Sequence, residues 1–209
     1  MEPLLTLVIA LGGIATGIGA IWTAVVTRNL ARLTEESLRE QNERARIYLE
    51  VDVMQRLYER VLSQRFQNYW IRSCTYIKDN YFVDDDILEV VHLDPASEQI
   101  LNFYEELGYL TRTGVLQPER VWNSYGGDLT MAWALWEPAV KKMREELKDP
   151  TIFEHTEYLY HQLLDLDRQR GLGSERPTNE ELRRFVEDSL LAAEVGEEPA
   201  AGGEAPTQE

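Results

Sequence analysis

Apolar and polar positions divide the chain into three stretches. From Pro3 to Thr27 there are 25 consecutive residues without a charged side chain. As a helix rising about 1.5 Å per residue, that run is roughly 37 Å long, enough for a hydrocarbon core of about 30 Å. A soluble helix of this length shows a polar face, and this one has none. A cleaved leader would open on basic residues, whereas the only early charge is Glu2. The pattern predicts a retained membrane anchor over residues 1–27.

Residues 28–78 contain no Pro and no Gly, and Tyr48, Val51, Tyr58, Leu62, Phe66 and Tyr69 recur at helical spacing. This predicts one long helix or two in series. Residues 30–46 are polar almost all round, with Leu30, Leu33 and Leu38 as the apolar points, the pattern of a stalk or weak coiled coil. A loop follows from Asn80 to His92. Asp94 as N-cap and Pro95 as first helical residue open a helix carrying Ile100, Leu101, Tyr104 and Leu107. Gly108 and Gly114 mark its end or a kink.

Gln117-Pro118-Glu119 starts another segment, which Gly126-Gly127 interrupts. An amphipathic stretch then runs from Asp128 to Lys148, and Pro138 predicts a kink or break in it. Thr151 and Glu154 have capping-box spacing before a helix with Ile152, Leu159, Tyr160 and Leu163, ending ahead of Gly171. No strand alternation and no hairpin signal is found. Residues 28–170 therefore read as a helical bundle. After Gly171 a short helix over 178–193 is expected, and its Leu182, Phe185 and Val186 form a candidate docking face. From Gly196 the composition is Gly, Ala, Pro and Glu, which predicts disorder. The expected fold class is all-α: one transmembrane helix, a cytoplasmic bundle, and an acidic tail over 171–209.

Charge sharpens this division. The chain has 37 acidic and 21 basic residues, net −16, which argues against nucleic-acid binding. Seven of those negative charges lie in the tail. Arg28, Arg32, Arg39, Arg44 and Arg46 follow the apolar run and no basic residue precedes it. The positive-inside rule then places the N-terminus outside a cell membrane and the body in the cytoplasm. Within the run, Gly13 and Gly17 are a small-xxx-small pair, and Gly12, Thr16, Ala20 and Ala24 form a parallel stripe. Such stripes let helices associate in lipid, so a homo-oligomer is one expectation.

Candidate chemistry is sparse. Asp84, Asp85 and Asp86 lack the alternation, Gly and terminal Glu of a calcium loop. Glu157 and His161 share a helix face, but His155 and His161 are six apart and point elsewhere. Cys74 is a lone thiol without a neighbouring base. Trp70, Trp122, Trp133 and Trp136 at helical spacing read first as core and second as a partner groove. No phosphate loop, dinucleotide fingerprint or hydrolase elbow occurs. No cofactor, metal site or catalytic residue is expected.

The stretch Ile100-Leu101-Asn102-Phe103-Tyr104-Glu105-Glu106-Leu107-Gly108 resembles the centre of the bacterial domain-of-unknown-function family 4760. Gly114-Val115-Leu116, Val121-Trp122, Tyr125-Gly126, Trp133, Trp136, Pro138 and Arg144 continue the likeness in order. It extends over roughly residues 28–165. The resemblance implies a helical cytoplasmic body behind one membrane helix, and no activity. The expected function is a non-enzymatic module that binds or organises an unknown protein partner at the membrane, with the bilayer contacted through residues 3–27. Two alternatives stand beside it. One is a membrane-active effector that oligomerises through its anchor; the other is an enzyme assembled from distant groups such as Glu105, Glu106, Arg144 and His155.

Overall fold

A computed structural model describes residues 2–83, 86–172 and 176–196, with side chains from residue 26 to 193 within those limits. Six helices dominate: α1 (Glu2–Leu62), α2 (Gln64–Tyr81), α3 (Pro95–Arg112), α4 (Pro118–Leu147), α5 (Glu154–Gln169) and α6 (Asn179–Gly196). The all-α class holds, but the membrane anchor is corrected. Among the described residues no helix is long and apolar enough to cross a membrane. The side chains of residues 1–25, where the apolar run and its small-residue stripe fall, lie outside the described ones. From Val26 onward α1 carries interspersed Arg and Glu side chains, tied by pairs such as Arg32–Glu36 at 3.4 Å.

The chain forms two units, residues 1–51 and residues 52–209. The first contains α1 alone and no second element. The second holds the end of α1 and everything after it.

Within the second unit, the two-helices-in-series reading is the correct one. Ser63 breaks the chain, sits in an extended conformation, and its hydroxyl accepts from Phe66 N–H to start α2. The loop after α2 contains a small antiparallel pair, β1 (Phe82–Val83) with β2 (Asp86–Ile87). Strands of two residues are too short for alternation to register in the sequence. The Asp94–Pro95 start is as expected: the Asp94 carboxylate accepts from Ala96 N–H at 3.0 Å and Ser97 N–H at 3.1 Å.

Two predicted breaks do not occur. α4 runs unbroken for 30 residues through Gly126-Gly127 and Pro138. Burial holds it: Leu129, Ala132, Trp133, Trp136 and Val140 are all inside the core. A proline at 138 has no N–H for the carbonyl of Ala134. That carbonyl instead accepts from Arg176 Nη2 at 3.1 Å.

Gly108 likewise neither ends nor kinks α3, which continues to Arg112 and stops at Gly114, where φ is +76°. The packing of α3 on α5 is the most extensive helix contact of the unit. It is set by Gly108, since a Cβ there would lie 2.1 Å from the carbonyl oxygen of His155. Only a residue without a side chain lets the two backbones approach this closely.

Candidate functional site

The enzyme alternative named Glu105, Glu106, Arg144 and His155, and the structure gives each a partner. Phe153, which precedes α5, is in the left-handed region with φ +56° and supplies no side-chain cap. The expected Thr151–Glu154 box does not form, because Thr151 turns back to Asp149, donating its N–H at 2.9 Å and its hydroxyl at 2.6 Å. Those two bonds hold the Asp149 carboxyl below its ordinary range. The cap comes from α3 instead. Glu105 Oε2 accepts from Thr156 N–H at 2.8 Å and from Thr156 Oγ1 at 2.9 Å, and Glu105 Oε1 accepts from His155 N–H at 3.2 Å. A carboxylate at a helix N-terminus satisfies unpaired donors and complements the helix dipole.

The remaining three diverge. Glu106 pairs with Arg60 at 2.6 Å. Arg144 donates to the Ile152 carbonyl at 2.8 Å and to Glu157 at 2.7 Å, fastening the end of α4 to the start of α5. The His155 ring lies against Tyr109 and within 3.3 Å of Arg112. Glu105 and His155 do meet, but through a backbone N–H in a helix cap. None of the four lines the cavities described below.

Other titratable candidates are equally constrained. Cys74 is buried, and desolvation pushes its thiol up to about 12, far from a thiolate at neutral pH. His161 stacks edge-on against Tyr160, while its sequence partner Glu157 is taken by Arg144. Asp84 and Asp85 lie outside the described residues. Among the described residues no group of three or more His, Cys, Asp or Glu side chains is arranged to hold a metal ion.

Trp133 and Trp136 are core residues, each 1% exposed. Trp70 meets Trp136 and Phe185 edge-on, with ring centroids 6.3 Å and 5.7 Å away. Trp122 faces outward into an open groove of about 870 Å³, where its Nε1 donates to Asp167 at 2.7 Å and Arg170 sits 3.8 Å over its ring. A smaller cavity of about 160 Å³ is walled by Phe66, Trp70, Phe103, Tyr104 and Tyr125, with Asp128 and Ser189 at its edge. Desolvation there raises the carboxyl of Asp128 above its ordinary value, and burial raises the phenol of Tyr104 well above its own.

The three docking candidates near the C-terminus lie on the chain's own body. Thr178 and Glu181 form a reciprocal capping box that opens α6: Thr178 N–H donates to Glu181 at 2.7 Å and Glu181 N–H donates to Thr178 Oγ1 at 3.3 Å. From there Leu182 and Val186 are buried and Phe185 packs on Trp70. α6 contacts α2, α4 and β2. The anchor candidates Gly12, Gly13, Thr16, Gly17 and Ala20 lie outside the residues whose side chains are described.

What stays uncovered is the face of α1 in the first unit. Val26, Leu30, Leu33, Leu38, Ile47, Tyr48, Leu49 and Val51 are between 38% and 75% exposed, and the unit holds no second element among the described residues. Leu30, Leu33 and Leu38 are the apolar points of the stalk or weak coiled coil that the sequence predicts.

No curated protein and no solved structure matches the chain. The pattern of one protein family, described as "Domain of unknown function (DUF4760)", matches residues 10–163. That span takes in the Glu105 cap, the Gly108 crossing and the whole of α4, and the chain belongs to this family.

Proposed function

We propose that the chain is a non-enzymatic helical module that binds a protein partner through α1 between Val26 and Val51. The carrying observation is the exposed apolar face of that segment, in a unit that has no other element to cover it. Helices in proteins owe most of their stability to packing of an apolar face rather than to intrinsic propensity. Intrahelical pairs such as Arg32–Glu36 and Glu40–Arg44 do not replace such packing, since each contributes only about 0.2–0.5 kcal/mol. A partner helix is the natural cover for an apolar stripe at three- and four-residue spacing.

The use of the titratable groups supports the non-enzymatic half of this reading. Glu105 caps a helix, Arg144 fastens two others, and Cys74 is held as a neutral thiol. Photo-crosslinking in intact cells tests the proposal. A photoreactive side chain at position 30, 33 or 47 should yield a protein adduct, while the same group at Arg39 or Arg46 on the opposite face should not. Equal labelling at all five positions, or none at any, would remove α1 as the contact surface.

A further inference from the structure

The small aromatic cavity of the second unit has the lining of a cation site. Phe66 and Trp70 are four apart on α2, and Tyr125 and Asp128 are three apart on α4, so helical spacing brings each pair to one face. Phe103 and Tyr104 of α3 complete the wall. The rings do not stack in parallel. Those of Phe66, Tyr104 and Tyr125 stand at 66°, 59° and 78° to Phe103, with centroids 5.1, 5.5 and 5.7 Å away. Such angles leave ring faces uncovered by one another, around a space of about 160 Å³. An apolar cavity of about 150 Å³ takes a guest the size of benzene.

Three observations give this space a sign. No Lys or Arg lines it. Arg60 lies 5.5 Å from the Phe103 ring but outside the lining, and Glu106 neutralises it at 2.6 Å. Asp128 has no ion-pair partner among the described residues, and desolvation is the one cause that shifts its carboxyl. The Tyr125 hydroxyl is buried, in a residue only 5% exposed, and has no hydrogen-bond partner among the described residues. Ser189 donates to the Phe185 carbonyl at 2.7 Å, which leaves its lone pairs at the cavity edge.

A desolvated charge without a counter-ion and an unsatisfied buried phenol each cost free energy as they stand. A neutral apolar guest would leave Asp128 uncompensated, and an anion would meet the negative ring faces. A cation satisfies both, because ring faces attract positive charge most strongly when water is excluded. Five rings against one carboxylate suit a cation whose charge is spread over methyl groups. Asp128 is exposed overall and stands at the edge, so the cation can enter past it from solvent.

We propose that this cavity binds a small methylated ammonium cation, with Trp70, Phe103 and Tyr125 supplying ring surface and Asp128 the counter-charge. This goes beyond the partner-binding reading of α1 and does not depend on it.

Isothermal titration calorimetry of the full-length chain tests it with choline chloride and with the uncharged isostere in which tert-butyl replaces trimethylammonium. Choline should bind saturably at one site, at least about tenfold more tightly than the isostere. Asp128→Asn, which removes a desolvated charge and should fold, is expected to weaken choline about tenfold or more and leave the isostere unchanged. Phosphatidylcholine vesicles separate two sources of the same group. Cosedimentation lost in Asp128→Asn assigns a lipid headgroup, while equal cosedimentation of both chains, or none, assigns a soluble cation. No saturable choline binding, equal affinity for choline and the isostere, or an Asp128→Asn chain that binds choline like the parent would overturn the proposal. Any of these leaves the photo-crosslinking result at α1 untouched.

Discussion

Arg176 donates from Nη2 to the carbonyl of Ala134 at 3.1 Å, and so satisfies the group that Pro138 leaves without an N–H inside α4. The same guanidinium reaches Glu137 at 3.2 Å. A residue beyond the family match thus repairs a defect within it. Arg176→Ala should lower unfolding free energy by about 1 kcal/mol, the range for a partly exposed charged donor. In a Pro138→Ala background the helix regains its own donor, and the loss should fall to less than half. Urea unfolding of the two single variants and the double variant measures this coupling.

Gly108→Ala should be severely destabilising. The added Cβ would meet the His155 backbone 2.1 Å away, and that backbone is held by Gly108's neighbour Glu105. Overpacking of a core typically costs about 1–3 kcal/mol, and a backbone clash belongs at or above the top of that range. A drop in thermal midpoint of only a degree or two would show that α3 and α5 can separate freely.

Glu105→Ala removes the acceptor for two backbone donors and the Thr156 hydroxyl at the start of α5. The expected cost is about 2 kcal/mol, as for a lost cap with charged acceptor character. Thr156→Val should cost less, since the backbone bonds to Glu105 remain. Hydrogen exchange should quicken first in residues 154–157.

Asp128 supplies a pH dependence whose sign follows from its desolvation. Its carboxyl is raised in the folded chain relative to the unfolded one. The folded state therefore binds the proton more tightly, and stability from this group is greatest below the usual carboxyl pKa of about 3.9. It declines as pH rises through the folded value, and above that the penalty is complete. Asp128→Asn should stabilise the chain at neutral pH and flatten this part of the profile. Cys74 offers a companion readout: with its thiol pushed up to about 12, the folded chain should resist alkylation at pH 8 and react once unfolded.

Local signals carried much of the fold. Asp94–Pro95 and Thr178–Glu181 start their helices as their side-chain chemistry dictates, and Trp133 and Trp136 lie in the core. Signals that depend on distant residues were not legible. Gly108 looks like a helix end until His155, 47 positions later, is known to press against it. Pro138 looks like a break until Arg176 is placed. The N-terminal apolar run shows the opposite hazard, a strong local pattern taken for a membrane span that no described helix provides. On α1 only a weak coiled-coil pattern at Leu30, Leu33 and Leu38 is legible, because Ser37, Glu40 and Arg44 interrupt the apolar spacing.

The central claim is that α1 binds a protein partner between Val26 and Val51, and photo-crosslinking in intact cells tests it most directly. A photoreactive side chain at position 30, 33 or 47 should yield a protein adduct, while the same group at Arg39 or Arg46 should yield none. Equal labelling at all five positions, or labelling at none, would contradict the account.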